Sequence, residues 1–109
     1  MKRPLVEILY FEDCPNYAHT PARVERIGAE LGIEPDIRLV DVPDPETAQR
    51  MCFLGSPTVR VDGVDVEPHA EQRHDYVQAC RVYRTDAGFA GQPQESWIRD
   101  ALKAAAAGP

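Results

Sequence analysis

Two β-like runs, residues 5–11 and 36–42, enclose a segment whose apolar positions recur at helical spacing. That order leaves the chain little freedom. Leu5-Val6-Glu7-Ile8-Leu9-Tyr10-Phe11 is nearly continuous in apolar side chains, as expected of a strand covered on both faces, with Glu7 the exception. Pro4 fits at its start, where no ladder hydrogen bond is needed. Between the runs, Val24, Ile27 and Leu31 fall on one helix face with Ala22 and Ala29 beside it, and Gly32 is placed to cap the C-terminus. In residues 36–42, Ile37 and Leu39 share one face, and Val40 and Val42 the other. A strand, a helix and a strand joined by short loops make a βαβ unit, whose strands run parallel. The helix start has two solutions. It begins near Cys14 and kinks at Pro21, or Thr20 caps a new helix with Pro21 in its first position.

The rest of the chain adds three pieces. Asp44-Pro45-Glu46 supplies a cap, a first-turn proline and a first-turn acid, and predicts a second helix through Ala48 and Met51 to about Leu54, ended by Gly55. Cys52 on that helix is expected to pack between helix and sheet. Asp62-Gly63 between the alternating runs 58–61 and 64–66 is a two-residue hairpin signal, because a type I′ turn needs positive φ at both positions. Residues 67–92 have weaker patterning, with a short helix over 70–79 and a short strand over 80–83 as the expected pieces. From Pro93 a last helix is predicted, with Trp97, Ile98, Ala101, Leu102 and Ala105 as its buried stripe and Gly108-Pro109 as its end. The fold class is α/β, ordered β-α-β-α-β-β-insert-α, in one domain over residues 1–109 with 68–92 as the insert.

Composition bounds the function. Of 109 residues, 43% are hydrophobic and 28% charged, a globular balance. Eighteen acids against twelve Lys and Arg give a net charge of −6, which opposes nucleic acid and anionic membranes as partners. The longest apolar run is far shorter than a membrane span. Met1-Lys2-Arg3 is charged, but Glu7 interrupts the apolar run and no small-residue cleavage site follows, so a cytoplasmic location is expected rather than secretion.

The three cysteines, Cys14, Cys52 and Cys80, are odd in number and widely spaced, unlike a secreted disulfide framework. Cys14 stands where the first strand gives way to helix, and a helix N-terminus favours a thiolate. Glu12 and Asp13 oppose this, since adjacent negative charge raises a thiol pKa. His19, His69 and His74 could join cysteines around a soft metal, but no Cys or His pair has zinc-finger spacing.

This element order, a cysteine after the first strand, and Ser56-Pro57-Thr58 just before the hairpin resemble the thioredoxin fold. The likeness covers residues 4–67 well and residues 93–107 plausibly; the insert has no counterpart in the minimal fold. The resemblance implies that Pro57 is cis and lies against Cys14, that Pro21 corresponds to the family's kinked active-site helix, and that Pro15, Ser56 and Pro57 form the substrate-binding step. The Cys14-Pro15 entry resembles glutaredoxins. The family's second motif cysteine is replaced by Tyr17, which excludes a dithiol mechanism within Cys14-Pro15-Asn16-Tyr17.

These readings converge on a thiol–disulfide redox protein without a cofactor, with Cys14 as nucleophile and Cys80 as the internal candidate for resolving the adduct. Its partner would be a thiol- or disulfide-containing protein or a small thiol. Two rivals stand beside it: a soft-metal thiolate site for mercury or copper using Cys14 and Cys80, and a redox-inactive thioredoxin-like interaction module.

Overall fold

The computed structural model describes residues 3–108, so Met1, Lys2 and Pro109 lie outside the described residues. A four-stranded mixed sheet carries the structure. Its strands are β1 (Leu5–Tyr10), β2 (Asp36–Asp41), β3 (Thr58–Val61) and β4 (Val64–Asp65), in the spatial order β2-β1-β3-β4. β1 and β2 are parallel, from Leu5 opposite Asp36 to Tyr10 opposite Asp41. β3 runs antiparallel to β1, with Ile8 opposite Val59, and β4 returns antiparallel along β3. The turn between β3 and β4 has Asp62 at φ 49° and Gly63 at φ 85°, the backbone that the Asp-Gly pair predicts.

Alternation along β1 separates two apolar layers. Val6 and Ile8 join Val59, Val61, Val24 and Ile27 of α1 (Thr20–Leu31), and Ile98 and Leu102 of α3 (Glu95–Ala107). Leu9 points the other way, to Val42, Ala48 and Phe53 beside α2 (Pro45–Arg50). Each fully buried Val, Ile or Leu in these clusters contributes about 1.5–3 kcal/mol of transfer free energy. On α3, Trp97, Ala101 and Ala105 flank the two fully buried positions, as the helical stripe predicts.

Several local expectations are corrected. A five-residue 3₁₀ turn, Pro15–His19, precedes α1, so the α-helix opens at Thr20 with Pro21 in its first turn, where its missing N–H costs nothing. Thr20 does not cap with its side chain; its hydroxyl donates to Gln92 Oε1 at 2.8 Å. Gly32 ends α1 in the left-handed region at φ 68°. Leu39 is exposed on β2, the edge strand of the sheet, although Ile37 on the same face packs against the α1–α3 core.

Helix α2 stops at Arg50 rather than near Leu54. Asp44 caps its start, accepting the Thr47 N–H at 2.7 Å. Its end is diverted at Cys52, which has φ 55°, while the Arg60 guanidinium satisfies the carbonyls of Met51 and Cys52. Cys52 is therefore exposed, and Phe53 takes the buried place expected for it.

Residues 68–92 do not form a helix over 70–79. After a single 3₁₀ turn, Ala70–Gln72, the chain runs as an irregular strap over residues 73–82, bent at 78–79, then forms a hairpin of β5 (Tyr83–Thr85) and β6 (Gly88–Ala90). The expected strand over 80–83 reduces to one bridge between Cys80 and Ser56, before β5.

Candidate functional site

The exit of β1, the turn before β3 and the strap meet at one point. Cys14 closes the β1 exit, its N–H bonded to the Phe11 carbonyl at 3.1 Å, and it stands at the N-cap of the 3₁₀ turn. The α-helix proper starts only at Thr20, so Cys14 does not sit directly on its N-terminus. Opposite Cys14 is Ser56, joined to Pro57 by a cis peptide bond. Cys14 and Cys80 form a disulfide, their Cα atoms 5.7 Å apart across a sequence separation of 66, a spacing typical of the bond. Cys14 Sγ lies 3.5 Å from the Ser56 carbonyl oxygen, an acceptor that a reduced Cys14 thiol would meet.

The strap is bound along its length. Gln49 Nε2 donates to the Tyr76 carbonyl, Val77 N–H to the Phe53 carbonyl, and Gln78 Nε2 to the Val42 carbonyl. Ser56 then pairs on both sides of Cys80, donating to the Ala79 carbonyl at 2.8 Å and accepting from the Arg81 N–H at 2.9 Å. Gly55 admits this approach. Its φ is +116°, and a Cβ there would stand 2.9 Å from Arg81 Cβ and 3.0 Å from the Ala79 carbonyl oxygen.

Arg81 fixes the far end of the strap. Its side chain is 1% exposed and donates to Asp65 Oδ2 at 2.8 Å, Glu67 Oε1 at 2.6 Å and Thr58 Oγ1 at 3.0 Å. The guanidinium also lies 4.4 Å from the centre of the Tyr83 ring. Burial acts to lower its pKa, but Tyr83, Asp65 and Glu67 outweigh burial and the net shift is upward, so Arg81 stays charged. Tyr83 is buried, which pushes its pKa up, and its hydroxyl donates to the Pro57 carbonyl at 2.5 Å. Among the described residues, two buried polar atoms, Ser56 Oγ and Arg81 Nε, have no hydrogen-bond partner.

Of the sequence-derived site residues, Cys14, Cys80, Ser56 and Pro57 come together, while Pro15 is exposed at the start of the 3₁₀ turn. Tyr17 stacks on Tyr10 with ring centroids 4.2 Å apart. Glu12, Asp13, His19, His69 and His74 are exposed. Among the described residues, no group of three or more His, Cys, Asp or Glu side chains is arranged to hold a metal ion, and no helix is long and apolar enough to cross a membrane. Sequence reasoning did not find Arg81, Asp65 and Glu67. The only available signal was an arginine next to Cys80 in an otherwise unpatterned segment.

No protein-family model matches the chain, and comparison with curated proteins and with solved structures returns no match.

Proposed function

We propose that the chain is a thioredoxin-like thiol–disulfide redox protein in which Cys14 and Cys80 cycle between dithiol and disulfide. The observation that carries this reading is the Cys14–Cys80 bond itself, made across the Ser56–Pro57 step rather than within the Cys14–Tyr17 motif. The parallel β1–β2 pair, the βαβ connection and the hairpin after Pro57 support the thioredoxin-like arrangement. Tyr17 removes the motif's second thiol, and Cys80 supplies one from the insert. In the oxidising direction, two protein thiols become the disulfide, and two electrons and two protons pass to a partner disulfide, which leaves as two thiols. The partner is a protein or small molecule bearing a thiol or disulfide. In a cytoplasm poised by glutathione, a readily reduced pair of this kind would spend most of its time as the dithiol.

The test is exchange under native conditions. Reduced protein carrying Cys52→Ser should convert glutathione disulfide to glutathione and recover the Cys14–Cys80 bond. With Cys14→Ser or Cys80→Ser added, no internal bond can form, and the reaction should go no further than one mixed disulfide per chain. An oxidised protein that resists dithiothreitol until it unfolds would make the bond a structural staple and overturn the reading.

A further inference from the structure

The two cysteines of the pair differ sharply in exposure. Cys14 is 0% exposed, enclosed by the β1 exit, Ser56 and the strap. Cys80 is exposed. The backbone explains the difference. Ser56 binds the carbonyl of Ala79 and the N–H of Arg81, so the bridge to the sheet is made by the neighbours of Cys80 and not by its own N–H and C=O. Those hydrogen bonds and the Arg81 network hold the strap in place on either side of Cys80.

Resting on the redox reading above, we propose that Cys80 is the sulfur attacked by partner thiols, and that Cys14 is the buried sulfur that leaves and later resolves. This reverses the order expected from the position of Cys14 after β1. Exchange requires contact between an attacking thiolate and one disulfide sulfur, so access selects the target. The partner thiolate bonds to Cys80 Sγ, the Cys14–Cys80 bond breaks, and the electron pair of that bond leaves on Cys14 Sγ. Cys14 takes up one proton and meets the Ser56 carbonyl oxygen at the 3.5 Å contact. That carbonyl already accepts from Arg81 and retains a second lone pair for the thiol. The mixed disulfide is then Cys80–partner. A second partner thiolate attacks the partner's sulfur, forms the partner disulfide and releases Cys80 as thiolate. The protein has gained two electrons and the partner dithiol has lost them. In the opposite direction, Cys80 thiolate attacks a partner disulfide, and Cys14, after losing its proton, displaces the partner from Cys80.

Trapping the first intermediate tests the order. Oxidised Cys52→Ser protein is mixed with glutathione, quenched in acid at short times, unfolded, alkylated and mapped by mass. Glutathione on Cys80 with the alkyl group on Cys14 should exceed the reverse adduct by about tenfold or more, on the scale by which access controls exchange. The reverse adduct in excess, or comparable amounts of both, would overturn the proposal. A second measurement uses Cys14→Ser/Cys52→Ser and Cys80→Ser/Cys52→Ser proteins under native conditions. The first should react with a neutral aromatic disulfide at least about tenfold faster than the second. Equal rates, or a faster Cys14, in proteins whose circular dichroism matches the parent would also overturn it. A protein whose disulfide cannot be reduced at all in the native state fails the redox reading instead, an outcome distinct from attack at the wrong sulfur.

Discussion

Ser56 and Cys80 lie opposite each other in a one-residue parallel bridge, with the Ser56 backbone bonded to Ala79 on one side and Arg81 on the other. The disulfide is therefore one of several ties between the strap and the sheet. Reduction should remove it and leave these hydrogen bonds and the Arg81 ion pairs in place. In a Cys14→Ser/Cys80→Ser protein, the amides of Ser56 and Arg81 should remain protected from hydrogen exchange well beyond unstructured peptide rates. Exchange at peptide rates would mean that the disulfide alone holds the strap.

Arg81 is the strap's electrostatic anchor. Arg81→Met leaves Asp65 and Glu67 without their buried cation and should cost about 3–5 kcal/mol in urea unfolding. Asp65→Asn should cost less, because Glu67 and Thr58 still pair with the guanidinium. If Arg81→Met instead unfolded at the parent's urea midpoint, the network would not anchor the strap.

Gly55 and Gly32 both adopt positive φ, but only Gly55 is crossed by the strap. Gly32→Ala meets no atom within 4 Å and should lose about 1 kcal/mol from backbone conformation alone. Gly55→Ala adds a collision with Ala79 and Arg81, and should lose about 2 kcal/mol or more while speeding exchange of the Arg81 amide. Equal losses at the two sites would remove the evidence for close strap contact.

Glu30 couples α1 to α3. Its carboxylate is bonded by Arg99 and Arg26, and those bonds hold its pKa below the ordinary value of 4.5. A carboxyl with a depressed folded-state pKa contributes stability that is present above its unfolded value and lost as pH falls through the folded one. Parent stability should therefore fall more steeply on acidification than that of Glu30→Gln. Parallel pH profiles in chemical denaturation would show that the pair contributes nothing.

What could be read from the sequence was local and periodic. The stripe of Val24 and Ile27, the Asp62-Gly63 turn, and the Asp44 cap each depend on residues close together in the chain, and the structure bears them out. The Pro21 ambiguity ended at Thr20 because a 3₁₀ turn intervened, which spacing alone does not reveal. Cys52 escaped its expected packing because Phe53, the larger side chain, took the interior position. The strap was illegible for a different reason. Its hydrogen bonds go to Val42, Phe53 and Ser56, and its buried charge to Asp65 and Glu67, all distant in sequence. A segment stabilised by partners elsewhere carries no period of its own. Cys14 and Cys80 could be named as candidates from the sequence, but their proximity depends on that docking.

The most direct measurement for the central claim is equilibration of Cys52→Ser protein in glutathione redox buffers, with the Cys14–Cys80 fraction read by mass after acid quench. The account predicts a reversible two-electron titration at a potential within the range of exchange proteins, about −120 to −270 mV. A bond that stays closed below about −300 mV, as structural disulfides do, or a Cys14–Cys80 bond that never forms, would contradict it.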